Sequence, residues 1–235
     1  MFGVNAELLI DHAWGWEPAT MEQIKAYQPE SNSISSGQVL AHPYDTQKGK
    51  LIVQEMTDQL VLDLVDRKQV TDQMVLTIGY DDNLANARSR NRYQGEITTD
   101  RYGRKMPKHA HGSINLGRQT SSTQIIMDAV LELYDRIINP SLSIRRVTVT
   151  ANHLADEPQV TEDRQFEQLS LFTDYAALEK ERKAEEERLA KERRLQEAML
   201  SVKKKYGKNA LLKGMNLQEG ATARERNRQI GGHKA

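Results

Sequence analysis

Cysteine is absent from the 235 residues. Disulfide frameworks, thiolate zinc sites and cysteine nucleophiles are thereby excluded. No apolar run approaches the roughly 18 residues of a membrane span, and the N-terminus lacks a signal-peptide pattern. A cytoplasmic protein with no membrane partner is the expectation. The common site signatures are missing too: there is no Walker loop, no Gly-x-Gly-x-x-Gly, no Gly-x-Ser-x-Gly and no His-Glu-x-x-His. Net charge is the last absence, since 33 basic and 33 acidic side chains cancel to zero. That sum argues against a nucleic-acid partner only if the charges are evenly spread.

They are not evenly spread. Residues 88–118 hold Arg88, Arg90, Arg92, Arg101, Arg104, Lys105, Lys108 and Arg118 against Glu96 and Asp100 alone, a net of +6. Residues 175–235 carry a net of +7, and the remainder of the chain carries −13. The chain is acidic with two basic regions. Solvated surface is the ordinary fate of such residues, so their meaning rests on what surrounds them.

The pattern divides the chain into five segments. Residues 1–30 read as a short helical lead-in broken by Gly15-Trp16-Glu17-Pro18 and by Pro29. Its apolar Leu8, Leu9, Ile10, Trp14 and Trp16 need a partner. Residues 31–155 read as one α+β domain. Ser33–Leu40 is a short strand, and Leu51–Val65 is a helix with Val53, Met56, Leu60 and Leu64 at helical spacing. Asp72–Tyr80 and Lys108–Arg118 alternate as strands. Thr120, Ser121 and Ser122 are N-cap candidates for a helix that Pro140 ends, and Ile144–Asn152 is the last strand. Strand, helix, strand, strand, helix, strand is the ferredoxin-like, split βαβ order: a four-stranded sheet with two helices on one face. Residues 156–174 read as an acidic linker, 175–205 as a charged helix and 206–235 as a flexible basic tail.

This arrangement leaves one sheet face polar. Thr77, His111, Ser113, Asn115, Arg146, Thr148 and Thr150 would lie on it, flanked by the Arg-rich 81–107 connection. Such a face suits a phosphate backbone. Gly117-Arg118-Gln119-Thr120-Ser121-Ser122 precedes a helix, where free N–H groups and hydroxyls could hold a phosphate or form an ordinary N-cap. Asp81 and Asp82 invite a two-metal reading, but no third carboxylate in a comparable strand context supports it, and a strand-ending turn is the better reading. His109 and His111 share a strand face but lack a third metal ligand. A hydrolase built on them is therefore set aside, and no metal or cofactor is expected on this chain. Gln168-Leu169-Ser170-Leu171-Phe172 stands in a polar linker with no evident core to fill. Leu171 and Phe172 would anchor in an apolar pocket, and Gln168 would supply amide hydrogen bonds.

Several segments resemble UmuC-type, Y-family translesion DNA polymerases. Asn5 through Glu17 resembles the end of their thumb. Ser33–Leu40, Thr71–Asp81 and Pro107–Gly112 resemble strands of their little finger. Gln168–Phe172 resembles the peptide with which bacterial polymerases dock on the sliding clamp, and Gly214–Leu217 through Gly231–Ala235 is similar to the tails of such proteins in Gram-positive bacteria. The family's Asp-x-Asp and Ser-x-Asp-Glu motifs, which hold the catalytic carboxylates and magnesium, do not occur here.

The resemblance implies a little-finger module without catalysis, in bacterial cytoplasm and at the nucleoid during DNA repair and the SOS response. Its expected partners are template-primer or damaged DNA, bound without sequence specificity, the sliding clamp, and a separately encoded palm and fingers half; magnesium would belong to that absent palm. DNA contacts are expected from Arg104, Lys105, Lys108, His109, His111, Arg118, Thr120, Arg146 and Thr148. Clamp contacts are expected from Gln168, Leu169, Ser170, Leu171 and Phe172. The chain is expected to be the C-terminal part of such a polymerase, truncated or split from its palm. The alternative is a stand-alone, non-enzymatic regulator that binds clamp and DNA.

Overall fold

The computed structural model describes residues 5–17, 19–27, 32–81, 95–99, 103–157, 175–230 and 233–234. They belong to two compact units, Met1–Asn32 and Ser33–Ala235. The first unit holds two short helices, α1 (Asn5–Ala13) and α2 (Met21–Ala26). Thr20 and Gln23 form a reciprocal capping box at the start of α2. None of this unit's described residues is buried, and the Trp14 side chain is 86% exposed.

The second unit contains the sheet. Its elements are β1 (Ile34–Tyr44), α3 (Thr46–Arg67), β2 (Gln69–Tyr80), a small hairpin of β3 (Ile97–Thr99) and β4 (Lys105–Pro107), β5 (Ala110–Thr120), α4 (Thr123–Ile137), β6 (Ile144–Asn152) and β7 (Ala155–Asp156). The main strands lie in the order β1-β6-β2-β5, each antiparallel to its neighbours, and β7 pairs with the start of β2. Each βαβ crossover is thus split by a strand of the other. β6 separates β1 from β2, and β2 separates β5 from β6. This is the α+β fold expected, with several boundaries shifted by a few residues. β1 runs on to Tyr44 through Pro43, which an edge strand tolerates beside the irregularity between Val39 and Tyr44. α3 starts at Thr46, because the Asp45 carboxylate accepts the Lys48 N–H at 2.8 Å and caps the helix.

Alternation builds the core. Met74, Leu76 and Ile78 of β2 and Val147, Val149 and Ala151 of β6 are fully buried beneath both helices. α4 turns Ile126, Val130, Leu133 and Tyr134 inward. The Tyr134 hydroxyl donates to the Thr46 carbonyl at 2.7 Å, and burial pushes its phenol pKa up. Gly49 lets α3 approach this point. A Cβ there would lie 2.2 Å from Ile144 Cδ1 and 2.9 Å from the Tyr134 hydroxyl.

The C-terminal third follows as α5 (Tyr175–Tyr206), a 3-10 turn (Gly214–Leu217), α6 (Ala223–Arg226) and a two-strand ribbon of β8 (Gln229–Ile230) and β9 (His233–Lys234). The expected flexible tail over 206–235 needs correction, because its described residues dock on α3. The cause is Glu55, a carboxylate only 3% exposed in the middle of that helix. It accepts Asn216 Nδ2 at 2.8 Å, the Thr222 N–H at 2.8 Å and the Ala223 N–H at 3.1 Å. Lys213 pairs with Asp58. Gln38 Nε2 donates to the Thr222 hydroxyl at 2.9 Å, and Gln38 Oε1 accepts from Arg226 at 3.3 Å. Burial pushes the Arg226 pKa down, while Glu55 and Asp63 oppose that shift. A buried carboxylate is costly unless hydrogen-bonded, so Glu55 and the tail require one another.

Two stability predictions follow. Gly49→Ala is expected to destabilise by about 1–2 kcal/mol in urea unfolding, because overpacking against buried Ile144 outweighs the gain in helix propensity. Glu55→Ala strands two tail N–H groups and is expected to cost about 2–4 kcal/mol. Hydrogen exchange should then rise across 207–228 well before it rises in β2 and β6.

Candidate nucleic-acid interface

The sheet face away from the helices is open. Cross-strand register sorts it into rows. Val39, Arg146 and Gly79 form one row; Gly37, Thr148, Thr77 and His111 form the next. Ser35, Thr150, Val75 and Ser113 form a third, and Asn152, Gln73 and Asn115 a fourth. The face is polar and already ordered. Ser35 and Thr150 share a hydrogen bond of 2.8 Å, Thr77 Oγ1 lies 2.9 Å from His111 Nδ1, and Gln73 links Asn115 and Asn152 at 2.9 and 3.0 Å.

Two glycines shape this surface. At Gly79 a Cβ would lie 3.1 Å from Arg146 Cβ, so the glycine makes room for that arginine between β6 and β2. Gly37 does the same beside Thr148, where a Cβ would lie 3.4 Å from the hydroxyl. Glycine in a strand interior often marks a site where another backbone or ligand approaches closely. Neither was among the expected site residues, yet both stand in otherwise alternating strands, which is the signal that could have found them.

The expected contact residues fall into two groups. Arg146, Thr148 and His111 share the open face, and His109 extends it just before β5, its ring edge-on to His111 at 6.4 Å. Arg104, Lys105 and Lys108 are exposed at and after the β3–β4 hairpin, which leads into β5. There the Lys108 ammonium lies 2.7 Å from the Glu96 carboxylate. That pair is exposed on both sides, so it holds Lys108 weakly.

Arg118 and Thr120 form the second group, whose side chains already have partners within the chain. Thr120 is buried, and its hydroxyl accepts the Ser122 N–H at 3.0 Å. Arg118 is paired at 2.7 Å with Glu185 of α5. The start of α4, where a phosphate could have sat, is filled by a carboxylate of this chain. Glu192 accepts the Ser122 hydroxyl at 2.7 Å and the Gln124 N–H at 3.1 Å. The free donors and the positive end of the helix dipole are satisfied from within. Gln168, Leu169, Ser170, Leu171 and Phe172 lie outside the described residues, as do Arg88, Arg90, Arg92 and Arg101.

Among the described residues no group of three His, Asp or Glu side chains could hold a metal ion, and no helix is long and apolar enough to cross a membrane. The model of the impB/mucB/samB family C-terminal domain matches residues 31–171. The chain belongs to this family. The match spans the α+β domain and reaches into the segment after it, in agreement with the resemblance to Y-family polymerases. No curated protein matches the chain.

Among the solved structures similar to this chain are three of low identity. The complex of the beta-clamp processivity factor and the little finger domain of PolIV is 9% identical over 60% of this chain and 99% of that one, with a TM-score of 0.34. The post-insertion binary complex of Dbh DNA polymerase is 10% identical over 63% of this chain, with a TM-score of 0.31. The insertion ternary complex of Dbh DNA polymerase is 11% identical over 55% of this chain, also at 0.31. The impB/mucB/samB chain spans 35% and 32% of the two Dbh polymerase chains.

Proposed function

We propose that this chain is the DNA-docking and clamp-tethering C-terminal part of a Y-family polymerase, acting in translesion synthesis and repair without catalysing nucleotide transfer itself. The observation that supports this best is the open sheet face: four rows of mostly polar side chains, with Arg146 among them and Gly37 and Gly79 beside Thr148 and Arg146. Arg146, Thr148, His109 and His111 contact the backbone of template-primer DNA, and Arg104, Lys105 and Lys108 extend the contact from the hairpin. Hydroxyls, imidazoles and cations at this spacing address phosphate and sugar, so the binding carries little sequence information. Thr120 is left out of this contact set because it is buried, whereas Arg118, held like Lys108 by an exposed ion pair, stays in it.

Gln168–Phe172 docks on the bacterial sliding clamp and raises the local concentration of the module at a primer end. The catalytic carboxylates and magnesium are supplied by a palm and fingers region, which these 235 residues do not contain. The exposed apolar side chains of the first unit, including Trp14 and Ile24, fit such a partner, since they have no core of their own.

DNA affinity of the full chain should fall steeply with salt, with a slope of about −5 to −7 on duplex, as expected for roughly 5–8 neutralised phosphates. Arg146→Gln should reduce that slope by about 0.9. An affinity insensitive to salt would contradict the phosphate-facing sheet. The double change Leu171→Ala with Phe172→Ala should abolish clamp binding in a pull-down or surface-plasmon assay and leave duplex affinity unchanged. Clamp binding that survives it would remove the motif assignment.

A further inference from the structure

The helical side of the domain carries a second basic feature, remote from the open sheet face. A cleft of about 630 Å³ lies where α3 ends beside the last turns of α5, with Asp66, Lys68, Arg193, Glu197, Lys204 and Lys205 as its charged lining. The charges do not cancel. Arg193 is held by Glu157 at 2.6 Å and Glu197 at 3.1 Å, and Lys204 pairs with Asp66. Lys68 and Lys205 have no carboxylate partner among the described residues, and exposed Lys208 follows two residues after Tyr206. Lys68 is held in place by its backbone. It is a non-glycine residue at φ 55, and its N–H closes α3 onto the Leu64 and Val65 carbonyls.

Lysines at helix C-termini have an ordinary use, since they offset the negative end of the dipole. That accounts for cations here, but not for the aromatic ring beside them. Tyr206 ends α5 with 67% of its surface exposed, and the Lys205 ammonium stands 5.1 Å from its ring centroid. An unburied ring among unpaired cations, next to a polar cleft, is the combination that binds unpaired nucleotides: cations track the phosphates and the ring stacks on a base. Duplex DNA cannot use the ring, because its bases are already stacked.

We propose that this cleft, with Lys68, Lys205, Tyr206 and Lys208, is a binding site for single-stranded nucleic acid, separate from the sheet face. The site is on the helix layer, so a single strand held here and a duplex on the sheet do not compete for the same side chains.

The test uses the full chain and fluorescence anisotropy with labelled oligothymidylate and, separately, a labelled blunt-ended duplex without unpaired nucleotides. Tyr206→Ser should weaken oligothymidylate binding at least about fivefold and leave duplex affinity within about twofold, while Tyr206→Trp should retain binding. Lys205→Gln with Lys208→Gln should flatten the salt slope on oligothymidylate by about 1.4. Thermal unfolding midpoints should match the parent, since neither change touches a buried group. The proposal is overturned if the parent fails to bind oligothymidylate, or if the variants bind it as the parent does. It is equally overturned if they lose both ligands alike, or if a polyglutamate peptide displaces oligothymidylate and binds as tightly, which would mark an acidic protein surface as the ligand. Arg146→Gln, measured on the duplex alongside, reports on the sheet face alone and so separates failure of this site from failure of that one.

Discussion

A helix that is buried on nearly every side binds the rest of the chain around it, and α3 is such a helix. Ile52, Val53, Met56, Leu60, Val61, Leu64 and Val65 leave no wide polar stripe, and even Glu55 and Asp58 are buried. One side is covered by the sheet and another by α4. The remaining side is covered by α5 and the tail, which bring the donors that Glu55 and Asp58 require. The rest of the arrangement depends on this enclosure. Both crossovers must lie on one face of the sheet, the C-terminal segments must fold back over α3, and the opposite sheet face is left open.

The open face is therefore a consequence of where the apolar area went. With the helices and the tail all on one side, β1, β6, β2 and β5 present their alternate residues to solvent, and these are mostly hydroxyls, amides, the His111 imidazole and Arg146, with Val39 and Val75 between them. Elsewhere the protein fills its own anion-seeking groups. Glu192 satisfies the start of α4, and Glu185 takes Arg118. Arg193, held by Glu157 and Glu197, is likewise engaged within the fold, whereas Arg146 is exposed on the open face. A count of charges along the chain cannot make that distinction, because it treats Arg193 and Arg146 alike.

The parts legible in the sequence are those governed by short periodicity. Alternation in Met74, Leu76 and Ile78, and in Val147, Val149 and Ala151, placed two strands with their faces. The composite polar face followed from the same parity. What escaped was carried by polar side chains. The inward stripe of α5 runs through half-buried Glu192 and Arg193 and buried Gln196 and Met199, so polar side chains interrupt its apolar spacing. Glu55 and Asp58 interrupt an apolar helix and could have signalled a polar partner for α3, but nothing local says that Thr222 and Lys213, more than 150 residues later, supply it. Gly37 and Gly79 had a visible signal that was not used.

By itself, then, the amino-acid order determined the element sequence, the two faces of the sheet and the family, because hydrophobic period and motif are properties of neighbouring residues. Only the tertiary structure decided which charges are free. An ion pair or a capping carboxylate joins positions distant in sequence, and whether Arg118 faces a partner or Glu185 depends on where α5 comes to rest. That position is set by burial over α3, which becomes visible only once the helix is enclosed.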